Sequence, residues 1–372
     1  MKFDTLLVHA GGATEPDSGA IAPSIHLSTT FEHTADGHAT HDHIYIRMGN
    51  PTQDRLEDAL AAIEEGEKSL VFGSGMAAVT ACMQMLDPGS HVLMHKDVYR
   101  LTRAIGEELL CRWNIEASEV DMTNHDAVQQ GIRSNTKLLW AETPSNPAMD
   151  VIDIAAIAGI AHSAGALLAV DNTFATPVLQ RPIQHGADIV MHSMTKYLGG
   201  HSDVQGGALI FKEEGDLIET IRQIRTITGG VLSPFNAWLI LRGLRSLGCR
   251  MERHVANASA IAVALAGHSK IEGVDYPGLP DHPGYTIANR QMEGFGGMLS
   301  FRIKGTKEDT LSVVRRVKLL RNATSLGGVE SLIEHRQTIE GSGSPTPPNL
   351  LRLSTGLEAA EDLIEDLVQA LG

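Results

Sequence analysis

One stretch, residues 166 to 203, constrains this chain more than any other. It reads AlaLeuLeuAlaValAspAsnThrPhe, then a spacer, then AspIleValMetHisSerMetThrLysTyrLeuGlyGlyHisSerAsp. Two short apolar runs, Leu167 to Val170 and Ile189 to Met191, each end in polar residues. Runs of this length bounded by turn signals predict buried strands of a parallel sheet. Ligands of open α/β sheets sit just beyond the carboxyl ends of such strands. The first run delivers Asp171 to that edge, and the second delivers Ser193, Thr195 and Lys196.

An acid, two hydroxyls and one lysine at adjacent strand ends are what pyridoxal phosphate needs. The lysine forms the Schiff base, the acid holds the pyridine nitrogen protonated, and the hydroxyls bind phosphate. A second anion-binding pattern lies upstream. SerLeuValPhe predicts a strand, Gly73, Ser74, Gly75 and Met76 a turn, and AlaAlaValThrAlaCysMetGlnMetLeu a helix. Free N–H groups at a helix start, with the helix dipole, favour a phosphate there. A Gly-Ser-Gly turn alone is a weak signal; joined to Lys196 it predicts a phosphate cradle.

The sequence ValAspAsnThrPhe, followed by HisSerMetThrLysTyrLeuGlyGlyHisSerAsp, resembles the Cys/Met-metabolism family of pyridoxal-phosphate enzymes. That family includes cystathionine synthases and lyases, methionine γ-lyase and acylhomoserine sulfhydrylases. The resemblance implies a fold-type I, aminotransferase-like α/β fold with a mostly parallel, seven-stranded-type sheet and a smaller C-terminal α+β domain. It also assigns roles by position. Tyr45 and Arg47, ahead of Gly49, Asn50, Pro51 and Thr52, match an arm that binds the cofactor phosphate of a neighbouring subunit, with Ile46 where Ser or Thr is usual. An arginine fork suits a phosphate. Tyr99 would stack on the pyridine ring and assist proton transfer, and Asn146, in GluThrProSerAsnPro, would donate to the ring's phenolic oxygen. Arg352, in LeuArgLeuSerThrGlyLeuGlu, would hold the substrate α-carboxylate, assisted by Ser325 of the SerLeuGlyGlyValGluSer loop.

Three departures bear on the substrate. The family's Tyr-Gly-Gly-Thr becomes Tyr99, Arg100, Leu101, Thr102, and Leu101 replaces a cysteine shared by methionine γ-lyases. Glu334 matches an acid of cystathionine lyases, but Ile44 stands where those lyases carry another. The family's Met-Thr-His is replaced by ThrIleGluGly. Glu334 and Glu340 suit a cationic distal group, such as a cystathionine ammonium or a guanidino leaving group of the canavanine kind; an exposed carboxylate on a polar loop is the plainer reading. The expectation is a β- or γ-eliminating lyase on a cystathionine-like amino acid, yielding a 2-oxo acid and ammonia. The alternatives are a γ-replacing transferase of the cystathionine γ-synthase or acylhomoserine sulfhydrylase type, a γ-lyase for a non-sulfur amino acid such as canavanine, and a catalytically silent oligomer.

With 372 residues, 42% apolar and 20% charged, the chain has the composition of a folded protein large enough for two domains. Its formal charge of -15 argues against nucleic acid or an anionic membrane as partner. Cys82, Cys111 and Cys249 are far apart, without the spacing of a zinc site or disulfide framework, and fit a reducing, cytoplasmic setting. The N-terminus is too short and too early broken for a signal peptide, and no apolar run nears the ~18 residues of a membrane span. Residues 1–50 read as an extended arm, 51–235 as the cofactor domain and 236–372 as the C-terminal domain, with one long helix leaving the boundary at 233–236. The histidine-rich tract at 33–43 suits a weak metal site, and a polar loop better. A trans-acting arm requires at least a dimer, and the family is commonly a homotetramer.

Overall fold

The computed structural model describes residues 1–12, 14–15, 18–341 and 344–372. Of the low-complexity stretch at 341–348, Ser342 and Gly343 therefore lie outside the described residues.

Seven strands form the larger sheet: β1 (Lys68–Phe72), β2 (His91–His95), β3 (Glu116–Val120), β4 (Thr136–Glu142), β5 (Leu167–Asp171), β6 (Ile189–Ser193) and β7 (Gly207–Phe211). Their spatial order is β1-β7-β6-β5-β4-β2-β3. The β3-β2-β4-β5-β6 block is parallel; β7 runs antiparallel to both β6 and β1. The apolar runs are continuous because helices cover both faces, so neighbouring residues are buried on opposite sides. Leu168 and Val170 enter one cluster with Ile154, Ile157 and Ala161, while Ala169 enters another with Val79, Cys82 and Met83. Strand β3, GluAlaSerGluVal, is half exposed, as its polar content and edge position require.

Five strands form the smaller sheet: β8 (Ile271–Asp275), β9 (Met298–Ile303), β10 (Arg321–Asn322), β11 (Leu332–Glu334) and β12 (Leu350–Ser354), in the order β10-β11-β12-β9-β8. Leu299, Phe301, Leu351 and Leu353 share a core with Ile261 and Leu265 and with Leu363 and Leu367 of the last helix, Ala360–Leu371.

Two features depart from the sequence expectation. The long helix after Ser233 is two helices, Pro234–Leu244 and Leu247–Ala266, interrupted at Arg245 and Ser246. The first belongs to the core of the larger half: Ala237, Ile240, Leu241 and Leu244 cluster with Leu56, Leu60 and Ile63 of the helix Pro51–Glu64. The Pro/Gly-rich loop at 276–297 contains the helix Tyr285–Gln291, and β8 precedes it. IleGluGlyValAsp is an edge strand with few apolar residues, which hides it from a pattern reading.

Among the described residues, 1–50 hold one helix, Phe3–His9, and otherwise backbone with only isolated bridges, Thr30 to Tyr45 and His33 to Ala39. The histidine tract folds as a turn, with Thr34 and His38 hydrogen-bonded to each other, and His43 pairs with Asp54 at 2.9 Å. Among the described residues no group of three His, Cys, Asp or Glu side chains converges there or elsewhere. No helix of the described residues is long and apolar enough to cross a membrane.

Candidate active site

The carboxyl ends of β4, β5 and β6 open into a cavity closed from the other side by the loop before β11 and by β12. Lys196, Asp171, Ser74, Gly75, Met76, Tyr99, Asn146, Ser193, Thr195, Ser325 and Arg352 all line it.

Parallel pairing of β5 with β6 sets Asp171 beside Met191, so β6 runs on past it to Ser193 at the same edge of the sheet. A buried network fixes that end. Asn172 donates to Glu64 Oε1 at 2.9 Å and to the Gln180 carbonyl at 2.7 Å, and His192 bonds Glu64 from the next strand. Asp171 Oδ1 accepts from the Thr173 N–H at 3.0 Å. Burial raises the Asp171 pKa, against the hydrogen bonds from Thr173 and the charges of His192 and Lys196.

Ser74 caps the helix Gly75–Gln84, its side chain accepting from the Ala77 N–H at 3.1 Å. The first N–H groups of that helix are thereby left for an anion. A Cβ on Gly75 would lie 3.0 Å from Ser193 Cβ, and one on Gly207 would meet the Ser74 carbonyl at 2.1 Å. Glycine lets the turn, Ser193 and β7 close into one cradle.

On the other side, Lys196 Nζ donates to Ser325 Oγ at 2.8 Å. The Ser325 carbonyl accepts from Arg352 Nη2 at 3.0 Å, and Asn146 Oδ1 accepts from Arg352 Nη1 at 3.1 Å. Ser325 itself sits at φ 105°, a conformation that costs a non-glycine residue about 1–3 kcal/mol and that clusters at functional sites. Burial, reinforced by the charge of Arg352, pushes the Lys196 amine down to about 8. Burial likewise pushes Arg352 down to about 10, which leaves it charged at neutral pH.

Glu334 is not an exposed loop carboxylate. It is 1% exposed, lies in β11 directly opposite Arg352, and bonds Arg352 at 2.9 Å and Arg336 at 2.7 Å. Burial alone would raise its pKa; the charge of Arg352 and hydrogen bonds from Arg336 and Thr324 hold it below the usual range. Glu340 is similarly engaged by Arg336 at 2.6 Å. Glu334 therefore orients the arginines, and its side chain is not among those lining the cavity.

Sequence reasoning missed Glu142 and Arg336, which both line the cavity. Glu142 Oε2 accepts from the Tyr99 N–H at 2.7 Å and so places Tyr99. Burial and the neighbouring Asp171 push Glu142 well above the usual carboxylate range. Its signal was its place at the end of β4, level with Asp171. Arg336 had only the departure from the Met-Thr-His pattern just beyond it. Arg100 lies in an adjoining cavity with Arg103, Glu107, Glu108 and Glu340, which shares Asn146 with the first. Tyr45 and Arg47 line neither; Tyr45 is 41% exposed, and the Arg47 guanidinium lies 5.3 Å from its ring centre.

Residues 4–372 match the model of the Cys/Met metabolism PLP-dependent enzymes. The chain belongs to that family. It is 44% identical over 374 residues to cystathionine gamma-synthase of Mycobacterium tuberculosis, covering 99% of this chain and 96% of the relative. It is 42% identical over 379 residues to cystathionine gamma-lyase of Bacillus subtilis, covering 100% and 99%. The crystal structure of metB from Corynebacterium glutamicum superposes with a TM-score of 0.97 at 40% identity, covering 100% of this chain and 98% of that one. The fold is thus fold-type I, and the protein is a pyridoxal-phosphate-dependent enzyme rather than a silent binding protein. The cavity fits that cofactor. It offers one partly buried amine, a carboxylate at the neighbouring strand end, and a hydroxyl-lined helix start where a Cβ on Gly75 would crowd Ser193.

Proposed function

We propose that this enzyme is a lyase that removes the β or γ substituent of a cystathionine-like amino acid, giving a 2-oxo acid and ammonia. The observation that carries the reading is the junction at Ser325, whose hydroxyl holds Lys196 and whose carbonyl holds Arg352. A carboxylate clamped by Arg352 then presents its α-carbon to Lys196.

Bound pyridoxal phosphate supplies the electron sink that makes loss of the α proton feasible. Lys196, with an amine tuned to about 8, takes that proton and returns one to the neighbouring carbon. Asp171 would hold the ring nitrogen protonated, and the Ser74–Met76 turn with Ser193 and Thr195 would hold the phosphate. Tyr99, held by Glu142, would pack on the ring and assist the leaving group. Asn146, whose Oδ1 is locked by Arg352, would donate its amide N–H to the phenolic oxygen.

A γ-replacement reading, in which a thiol adds after the leaving group departs, uses the same residues. One observation favours it: Glu334 and Glu340 are already neutralised by arginines, so neither is free for a cationic distal group or a guanidino substrate. Holoenzyme incubated separately with cystathionine, methionine, canavanine and O-succinylhomoserine, the last with and without cysteine, decides between them. Oxo acid without added thiol supports the lyase; thioether formed only with cysteine makes it a transferase.

The exposed Tyr45 and Arg47 support an arm, residues 1–50, that serves a neighbouring copy in a homotetramer, and the packing of Pro234–Leu244 on Pro51–Glu64 supports a cofactor domain that runs past the expected boundary at 235 to take in that helix, with the C-terminal domain beyond it. Arg47→Ala is expected to weaken cofactor retention about 10-fold, measured by dialysis; unchanged retention removes the arm from the phosphate. The three free cysteines support a cytoplasmic setting.

A further inference from the structure

Arg336 is the charged group of the cavity that this chemistry leaves unused. It opens the short helix Arg336–Glu340 just after β11 and is 3% exposed. Nη1 donates to Glu334 Oε2 at 2.7 Å and Nη2 to Glu340 Oε1 at 2.6 Å. A guanidinium carries five N–H groups, and among the described residues its buried Nε has no hydrogen-bond partner. The two glutamates are more fully occupied. The second oxygen of Glu334 accepts from Thr324, and that of Glu340 from Ser344 and Thr346.

The buried charges here alternate: Arg352, Glu334, Arg336, Glu340, with Glu334 Oε2 shared by both guanidinium groups. A cationic group entering the cavity meets arginine donors and no free carboxylate in this set. An anionic one meets unused donors on a fork that suits a carboxylate. A distal group that is only cationic is therefore disfavoured, while a carboxylate can take the N–H groups of Arg336 that Glu334 and Glu340 leave over.

We propose that Arg336 is a specificity-determining residue, binding a carboxylate at the distal end of the substrate side chain while Arg352 takes the α-carboxylate. This rests on the amino-acid chemistry proposed above and narrows it to substrates with two carboxylates. Cystathionine for elimination and O-succinylhomoserine for replacement both qualify; methionine and O-acetylhomoserine do not.

The test is kcat/KM of the holoenzyme on the matched pairs cystathionine against methionine and, with cysteine, O-succinylhomoserine against O-acetylhomoserine. Wild type is expected to favour the dicarboxylate of at least one pair. Arg336→Gln, alone and with Glu340→Gln to restore charge balance, is expected to lose about 10–100-fold on that dicarboxylate, chiefly in KM, and less than about 3-fold on its partner. Arg336→Lys is expected to recover part of the loss. Equal losses on both members of a pair would assign Arg336 to the α-carboxylate or to structure and overturn the proposal. So would a wild type that turns over the uncharged member equally well, which needs no variant. Product from none of the four substrates would instead overturn the function itself.

Discussion

The two ends of the cavity bind charge by opposite means. The proposed cofactor end offers backbone N–H groups, hydroxyls and one helix start, set by strand ends and glycine contacts around Ser74, Gly75 and Ser193. The substrate end uses buried ion pairs, in which Arg352 and Arg336 share Glu334. Dipoles of the first kind are fixed by the fold and need no counter-charge. Ion pairs of the second kind stand only as a set, because removing one member strands another in a low-dielectric interior. Substitutions at the cofactor end should therefore act locally, and those at the substrate end should spread.

The largest effect is expected where the two ends meet. Lys196→Ala is expected to abolish turnover on every amino acid, with the cofactor at most loosely held; a product assay showing retained activity would detach chemistry from this lysine. Arg352→Ala comes next. It removes the clamp and leaves Glu334 with Arg336 alone, at an expected cost of about 3 kcal/mol or more, on the order of 100-fold in kcat/KM, together with a lowered Tm. Cofactor content should stay full. Loss of cofactor instead would mean that the two ends are not separable.

Gly75→Val probes the other end. Its added carbons crowd Ser193 and Met191, and overpacking of about 1–3 kcal/mol should weaken cofactor affinity roughly 10-fold or more while leaving the KM of loaded enzyme unchanged. The pH dependence of cofactor loading sharpens the same contrast. The neutral amine is the reactive form, and burial depresses Lys196 to about 8. Loading of apoprotein should rise with pH and level off above about 8, whereas an ordinary lysine would continue to about 10.4. The smallest effect belongs to Glu142→Gln. Burial and Asp171 push the Glu142 carboxyl well above the usual carboxylate range and favour its neutral form, so an amide that still accepts from Tyr99 should change kcat by less than about 3-fold. A large loss would show that the carboxylate works ionised.

The same contrast explains what was legible in the chain. Strand ends and glycine turns are local, so Asp171, Lys196 and the Ser74–Met76 turn could be placed from short runs of sequence. The antiparallel strand β7, which joins β1 and its turn to β6, could not. The charge network could not. Glu334 looked as much like a loop carboxylate as a site residue, because its burial comes from pairing with Arg352 across β11 and β12. Arg336 gave no signal of its own, since its partners and its cavity are assembled by packing of the two halves. The break between Leu244 and Leu247 and the edge strand β8 were lost for a related reason: tertiary contacts, not periodicity, decide them.

The most direct measurement is reduction of the holoenzyme with borohydride, followed by peptide mapping by mass spectrometry. The account predicts that the pyridoxyl group is fixed on the peptide carrying Lys196 and on no other lysine. A label on a different lysine, or none on protein that carries its full cofactor, would contradict it.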